Sequence, residues 1–318
     1  MSADPVISVV AATRNRSESL SLLLASLRGQ TLSPEAFEVV IVDDGSSDDT
    51  PGVLERELAS GSLNLRLLRS ARGRGPAAAR NEGWRAASAP IVAFTDDDCE
   101  ADSRWLEAMA AASQANPGAV VQGRTEPPPA ERDSIGLFSR TLEITELGPY
   151  FQTCNMAYPR ILLERLDGFD EQTFRQSGED TDLAWRAIAA GAETVFADDA
   201  RVIHAVNELG PIGSLRLPLR WSDAMAVIGR HPEMRSRLHR GVFWKRSHEL
   251  LLRAIVGLLL ARRFPPAALL AYPYARDVVR RTRRRNASTV LAPYVAIQDV
   301  VETFATIRGA LRHRVAVL

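Results

Sequence analysis

The sequence predicts an α/β protein with a mostly parallel central sheet, followed by a basic, mainly helical C-terminal region. Short, nearly all-apolar runs alternate with stretches of helical periodicity, the pattern of a parallel sheet covered on both faces. Charge then divides the chain. Residues 1–215 carry 19 basic and 33 acidic side chains, a balance of −14, whereas residues 216–318 carry 20 and 6, a balance of +14. The formal net charge of zero therefore conceals two regions suited to different partners.

The elements follow in order. Val6-Ile7-Ser8-Val9-Val10 reads as a strand, and Leu20, Leu23, Leu24 and Leu27 recur at helical spacing until Gly29. Residues 37–42 form a second, β-branched run. Thr50 then supplies an N-cap and Pro51 a first-turn proline for a helix that stops near Gly61. Residues 65–68 are a third strand, 77–87 a helix, and Ile91-Val92-Ala93-Phe94 a fourth strand. From about Leu215 the strand signals fade and Arg-rich helical segments replace them. Residues 250–261 are strongly apolar, but Arg253 interrupts them and Arg262-Arg263 and Pro265-Pro266 close them. That falls short of the roughly 20 apolar residues of a membrane span.

Composition excludes several classes. With 46% hydrophobic and 25% charged side chains over 318 residues, the chain is neither disordered, collagen-like nor a coiled-coil rod. Cys99 and Cys154 are too few for a disulfide framework, which suits a reducing cytosol. The N-terminal Met1-Ser2-Ala3-Asp4-Pro5 lacks the basic and apolar regions of a signal peptide.

Ligands of parallel sheets bind at the carboxyl ends of the strands, and the acidic clusters stand there. The second strand ends in Asp43-Asp44-Gly45-Ser46, the fourth in Asp96-Asp97-Asp98. Adjacent carboxylates repel, so such clusters call for a cation, and oxygen ligands suit Mg²⁺ or Mn²⁺; the alternative is a solvated acidic turn. The loop Arg72-Gly73-Arg74-Gly75-Pro76 opens the helix bearing Arg80 and Asn81. Its glycines admit close backbone approach, and a helix N-terminus favours anions, yet it matches neither a Walker loop nor a dinucleotide fingerprint. In Gly178-Glu179-Asp180-Thr181-Asp182, Asp182 reads as a surface partner of Arg186, and Leu183, Ala187 and Ala190 as an inner face. Asp180 lies in a first helical turn whose dipole would keep it ionised, as a general base must be. His204 is either a satisfied core residue or a metal or phosphate ligand.

Taken together, these segments resemble the family 2 glycosyltransferases. The matching pieces are Ile7-Ser8-Val9-Val10-Ala11-Ala12-Thr13-Arg14-Asn15-Arg16, Val42-Asp43-Asp44-Gly45-Ser46, Gly75-Pro76-Ala77-Ala78-Ala79-Arg80-Asn81, Asp96-Asp97-Asp98, Leu166-Asp167-Gly168-Phe169-Asp170-Glu171 and Gly178-Glu179-Asp180. They occur in the family's order over residues 6 to about 205. The resemblance implies a GT-A fold (Rossmann-like, mostly parallel), a catalytic domain over 1–215, and a basic helical region over 216–318 outside the shared core. It also implies a nucleoside-diphosphate-sugar donor, a hydroxyl acceptor, Mg²⁺ or Mn²⁺, and hexosyl transfer with inversion. By the same resemblance Ala12, Thr13, Arg14, Asp44, Arg80, Asp96 and Asp97 lie on the nucleotide side, with Asp44 accepting the base's ring N–H. Asp98, with His204, would hold the metal. Asp180 would be the catalytic base, with Glu179 beside it at the acceptor. Many members carry an aromatic residue where this chain has Arg14.

Two other functions compete. A nucleotide-sugar-binding scaffold without turnover would have lost part of the acidic set, which is intact. A sugar nucleotidyltransferase would carry a Gly-rich loop with Arg and Lys after the first strand, where Ala11-Ala12-Thr13-Arg14-Asn15 stands instead. The Arg-rich composition, with Lys245 the one lysine, hints at a GC-rich bacterial genome. The transferase resemblance, with a tail that touches lipid, implies bacterial glycan or polysaccharide synthesis. For the +14 region, a nucleic-acid partner is disfavoured because no nucleic-acid module is evident. It would pack on the acidic region, in the chain or in a homodimer, or lie on anionic lipid at the inner membrane face. Residues 250–261 and Tyr272-Pro273-Tyr274 point to peripheral lipid contact, against a helical subdomain that buries its own apolar residues.

Overall fold

The computed structural model describes residues 4–318, so the reading of Met1 to Ala3 lies outside the described residues. The strands are β1 (Ile7–Thr13), β2 (Phe37–Asp43), β3 (Leu65–Arg69), β4 (Ile91–Asp96), β5 (Cys99–Ala101), β6 (Val120–Glu126), β7 (Ser139–Arg140), β8 (Asn155–Pro159), β9 (Thr194–His204) and β10 (Asn207–Glu208). The helices are α1 (Ser17–Arg28), α2 (Thr50–Ser60), α3 (Pro76–Ala86), α4 (Trp105–Ala115), α5 (Arg160–Leu166), α6 (Glu179–Ala189), α7 (Gly210–Arg216), α8 (Met225–Arg230), α9 (Arg246–Leu260), α10 (Tyr272–Arg284) and α11 (Ala292–His313). By packing, the chain forms two units. One holds the N-terminal part up to Pro129 with Thr141–Arg175 and Glu179–Ala205; the other holds Val206–Leu318 with Ala130–Arg140 and Gln176–Gly178.

The first unit is built on an eight-stranded sheet of order β3-β2-β1-β4-β8-β6-β9-β5. Strands β3, β2, β1 and β4 are mutually parallel, as is the β6–β9 pair. The antiparallel members are β8, between β4 and β6, and β5, on the edge beside β9. Period-2 alternation sends side chains to both faces. Val9, Ala11, Val39 and Ile41 join a core with the leucines of α1, and Trp105 and Met109 of α4. Val10, Val40 and Phe94 join a second core with Trp84 of α3, Tyr158, and Leu183 and Ala184 of α6. Both faces are therefore covered, which is why the strands read as continuous apolar runs.

Some local expectations are corrected. Helix α2 does not use Thr50 as its cap, because the Thr50 hydroxyl instead accepts the Arg16 amide at 3.0 Å while Asp48 takes the Thr50 amide at 3.0 Å. The end at Gly61, with φ 63°, is as expected. On α6 the inner face is Leu183, Ala184 and Ala187; Ala190 falls beyond the helix and is exposed. Asp182 does bond Arg186 at 2.7 Å, but Asp182 is fully buried, not at the surface.

The second unit is mainly helical, with a core of Leu137, Leu250, Leu251, Ala254, Tyr274, Val278 and Val295. Inside it, Arg281 bridges Asp277 and Asp299, the Tyr274 hydroxyl donates to Asp299 at 2.9 Å, and Lys245 pairs with Glu302 at 2.5 Å. Tyr274 is thus an inward residue, and of the two tyrosines read as interfacial only Tyr272 is exposed.

Candidate active site

The site begins with strand register. Ala12 pairs with Val42 on one side and with Asp96 on the other, so the loops after β1, β2 and β4 open at one sheet edge. The first two loops are stitched together. Asn15, with φ 53°, donates its amide to the Ser46 hydroxyl at 2.9 Å and accepts the Ser47 amide at 2.7 Å. Asp44 is buried, and its carboxylate accepts the amides of Arg74 and Gly75 at 2.8 and 2.9 Å. Gly45, with φ +77°, permits this approach, since a Cβ there would stand 2.8 Å from the Gly73 nitrogen. The Arg14 guanidinium lies over Gly73, where a Cβ would meet Nη1 at 2.0 Å. The Gly-rich loop therefore turns its backbone toward Asp44 and Arg14, so the Arg74 and Gly75 amides are engaged rather than open to an anion, a correction to the sequence reading. On the nucleotide side Thr13 is buried, Ala12 half-buried and Arg14 exposed.

Arg80 ties the aspartate turn to α6. Buried beside the Phe169 ring (6.0 Å to its centroid), it donates to Asp96 at 2.8 Å and to Glu179 at 3.0 Å. Burial opposes its charge, but Asp96, Glu179 and Asp180 outweigh that and raise its pKa. Asp180 stands next to this pair, its Oδ1 accepting the Thr181 amide at 2.8 Å. Burial first, and Glu179 second, push the Asp180 carboxyl upward against the pull of Arg80. The helix dipole, which favours its anion, acts against this rise. The dipole contributes about 0.3–1 kcal/mol, less than the ~1.4 kcal/mol of a single pKa unit, and lost hydration wins. Burial likewise pushes half-buried Asp97 up to about 7, with Asp98 and Asp96 adding to the rise and Thr13 and Arg16 opposing it.

The pairing of β5 with β9 sets Cys99 opposite His204, which brings His204 to the aspartate turn. The His204 Nδ1 lies 2.9 Å from the Ala205 carbonyl. A carbonyl only accepts, so Nδ1 carries a proton, which leaves Nε2 as the ring atom free to act as a metal ligand. That atom is 3.5 Å from Asp98 Oδ1, while Arg16 Nη1 lies 3.4 Å from the other oxygen. A carboxylate oxygen and a ring nitrogen thus face each other with the imidazole already oriented from behind, as metal-bound histidines are. Cys99 belongs to the same cluster, but burial raises its pKa far above the ordinary thiol value, so the usable donors are a carboxylate and an imidazole. This set fits a divalent cation that keeps further positions for other oxygens.

Behind these groups lies a clamp that sequence reasoning did not assign. Asn81 accepts from Trp84 Nε1 and the Phe169 amide at 2.8 and 2.9 Å, and donates to the Phe169 carbonyl and Glu171 at 2.8 and 2.7 Å. Arg186 donates to the carbonyls of Leu166 and Gly168 at 2.8 and 2.6 Å. Gly168, with φ +65°, is required here, since a Cβ would come within 2.3 Å of Asn81 Oδ1. The signals were the Asn beside Arg80 and the Arg four residues after Asp182; Arg16 was visible only as part of the opening motif.

Comparison with known proteins agrees with this geometry. The family described as Glycosyl transferase family 2 matches residues 8–169. A validoxylamine A glucosyltransferase of Streptomyces hygroscopicus subsp. limoneus is 29% identical over 284 residues, covering 75% of this chain and 61% of that protein. The pre-mycofactocin glycosyltransferase of Mycobacterium tuberculosis is 30% identical over 244 residues, covering 71% of this chain and 48% of that one. The match thus spans less than two thirds of the first of these relatives and about half of the second. Among solved structures, the mannosyltransferase PcManGT from Pyrobaculum calidifontis, in complex with GDP-Man and Mn²⁺, superposes with a TM-score of 0.69 at 24% identity, over 94% of this chain and 87% of that chain. The shared architecture is the GT-A fold.

Proposed function

Since the chain belongs to the family 2 glycosyltransferases, we propose that it moves a hexosyl group from a nucleoside-diphosphate sugar to an acceptor hydroxyl, with inversion, in bacterial glycan or polysaccharide synthesis. The observation that carries this reading is the convergence of three separate segments through Arg80: Asp96 at the end of β4 and Glu179 at the start of α6 share one buried guanidinium, with Asp180 beside them. In the proposed reaction the acceptor oxygen attacks the anomeric carbon as the carbon–phosphate-oxygen bond breaks. Those electrons leave with the nucleoside diphosphate, and the acceptor proton passes to Asp180. Attack opposite the leaving group inverts the centre.

The raised pKa of Asp180 matches this role, because a base near neutrality takes the proton more readily than an ordinary aspartate does. Arg80 keeps Glu179 and Asp96 in place and holds positive charge where carboxylates crowd. Asp98 and His204 would hold Mg²⁺ or Mn²⁺, which supplies positive charge for the departing diphosphate. Ala12, Thr13, Arg14, Asp44 and Asp97 border the same strand ends and would receive the nucleoside. Buried free thiols at Cys99 and Cys154 accord with work in the cytoplasm.

Asp180→Asn tests the assignment. Transfer is expected to fall by at least about 10²-fold, the lower end of general-base contributions, with nucleotide affinity within a few-fold of wild type. Near-normal turnover in this variant would remove Asp180 from the role.

A further inference from the structure

We propose that the tip of the second unit, formed by the end of α9 and the Pro265–Ala271 turn that follows it, docks on an anionic lipid bilayer. Leu252, Ile255, Val256 and Leu259 recur at helical spacing and are all exposed. Between residues 255 and 272, nine large apolar side chains are 43–74% exposed, among them Phe264 at 63% and Leu269 at 74%. Scattered surface leucines need no explanation, but a contiguous set does.

These side chains are not the unfinished core of the unit. The inward face of α9 is already filled by Leu250, Leu251, Ala254 and Gly257. The helix and the turn meet so closely that a Cβ on Gly257 would stand 2.6 Å from both the Ala267 carbonyl and Leu270. The apolar surface is what remains outside a hairpin that is packed shut.

Charge identifies the partner. Residues 250–290 hold nine arginines and one carboxylate, Asp277, which is buried and paired with Arg280 and Arg281. Arg262 and Arg263 stand exposed at the hairpin's end beside Phe264, and Arg283, Arg284 and Arg285 stand exposed at the end of α10. The occupant is therefore both apolar and anionic. A second copy in a two-fold contact would set arginines against arginines, whereas acidic headgroups over acyl chains satisfy both features at once. The contact is peripheral. Among the described residues one helix, Thr289–His313, is long and apolar enough to cross a membrane, yet its inner side carries Asp299 and Glu302, paired to Arg281 and Lys245 within the unit.

The test is co-flotation of the full chain with vesicles of phosphatidylcholine alone and of phosphatidylcholine with phosphatidylglycerol, with light scattering in parallel. Recovery is expected on the anionic vesicles only, weakening as salt rises. Leu269→Glu is expected to lower the partition coefficient by about tenfold or more, and Arg262→Ser with Arg263→Ser to do the same while flattening the salt dependence. All three positions are exposed, and an unchanged melting temperature confirms that the variants fold. No recovery on anionic vesicles, equal recovery on neutral ones, or variants that float like wild type would each overturn the proposal. So would concentration-dependent self-association that Leu269→Glu abolishes without vesicle binding, which would assign the surface to a second copy.

Discussion

Replacing Arg80 with methionine removes the buried cation that Asp96 and Glu179 share, while keeping most of its apolar stem. Breaking a buried ion pair from one side costs about 3–5 kcal/mol, because a desolvated charge is left without compensation. For a chain of this size that is roughly 6–20 °C in the transition of the unit that contains it. The loss depends on pH in a definite direction. Without the pull of Arg80, the Asp180 carboxyl is pushed further above its unfolded value, so its contribution to stability is present at low pH and lost as pH rises through the folded pKa. The deficit is therefore largest at pH 8 and smaller at pH 5, where protons replace the missing cation. Calorimetry of wild type, Arg80→Met and Arg80→Met with Glu179→Gln at the two pH values measures this. The double variant is expected to recover a large part of the loss, since it removes the stranded charge. A loss below about 1 kcal/mol, the range of an exposed pair, or one identical at both pH values, would refute the reasoning.

Further outcomes follow from the same contacts. Gly168→Ala puts a methyl group 2.3 Å from Asn81 Oδ1 at a left-handed φ, and is expected to cost about 2–4 kcal/mol in urea unfolding by adding backbone strain to overpacking. An ordinary cost of a few tenths would mean that the clamp yields. Because the Asp180 pKa is raised, transfer in the pH–rate profile is expected to fall on acidification well above the ordinary aspartate range near pH 4; a profile flat down to pH 5 would contradict that. Tyr274→Phe removes a hydroxyl bonded to Asp299, which keeps Arg281, so a loss of only about 1 kcal/mol is expected by denaturation.

The parallel half of the sheet was legible because β1, β2 and β4 are buried on both faces and leave unbroken apolar runs. Strand β8 was not. Its Asn155 is buried at the middle of the sheet, bonding Trp105 and the carbonyls of Arg124 and Ala200, and a sequence cannot show that such partners await a polar side chain. Strand β5 is three residues long and carries no period, yet it sets His204 beside Asp98. The site's residue types could be read from the motifs, but their partners could not. Asp44 accepting loop amides, Arg80 bridging two carboxylates and Asn81 holding Phe169 all depend on which loops meet. The upward push on the Asp180 carboxyl was not legible for a similar reason, since the dipole is visible in sequence and the burial is not.

The most direct measurement is titration calorimetry of UDP, GDP and dTDP into the protein with and without Mn²⁺, on wild type and on His204→Ala. Binding of one diphosphate in wild type, tightened by Mn²⁺ and losing that increment in His204→Ala, is the expected result. It should appear independently as a stabilisation of about 2.7 kcal/mol at a hundred times the dissociation constant. Nucleotide binding indifferent to Mn²⁺, or a metal effect that survives His204→Ala, would contradict the metal role of Asp98 and His204. No binding of any diphosphate would contradict the donor itself.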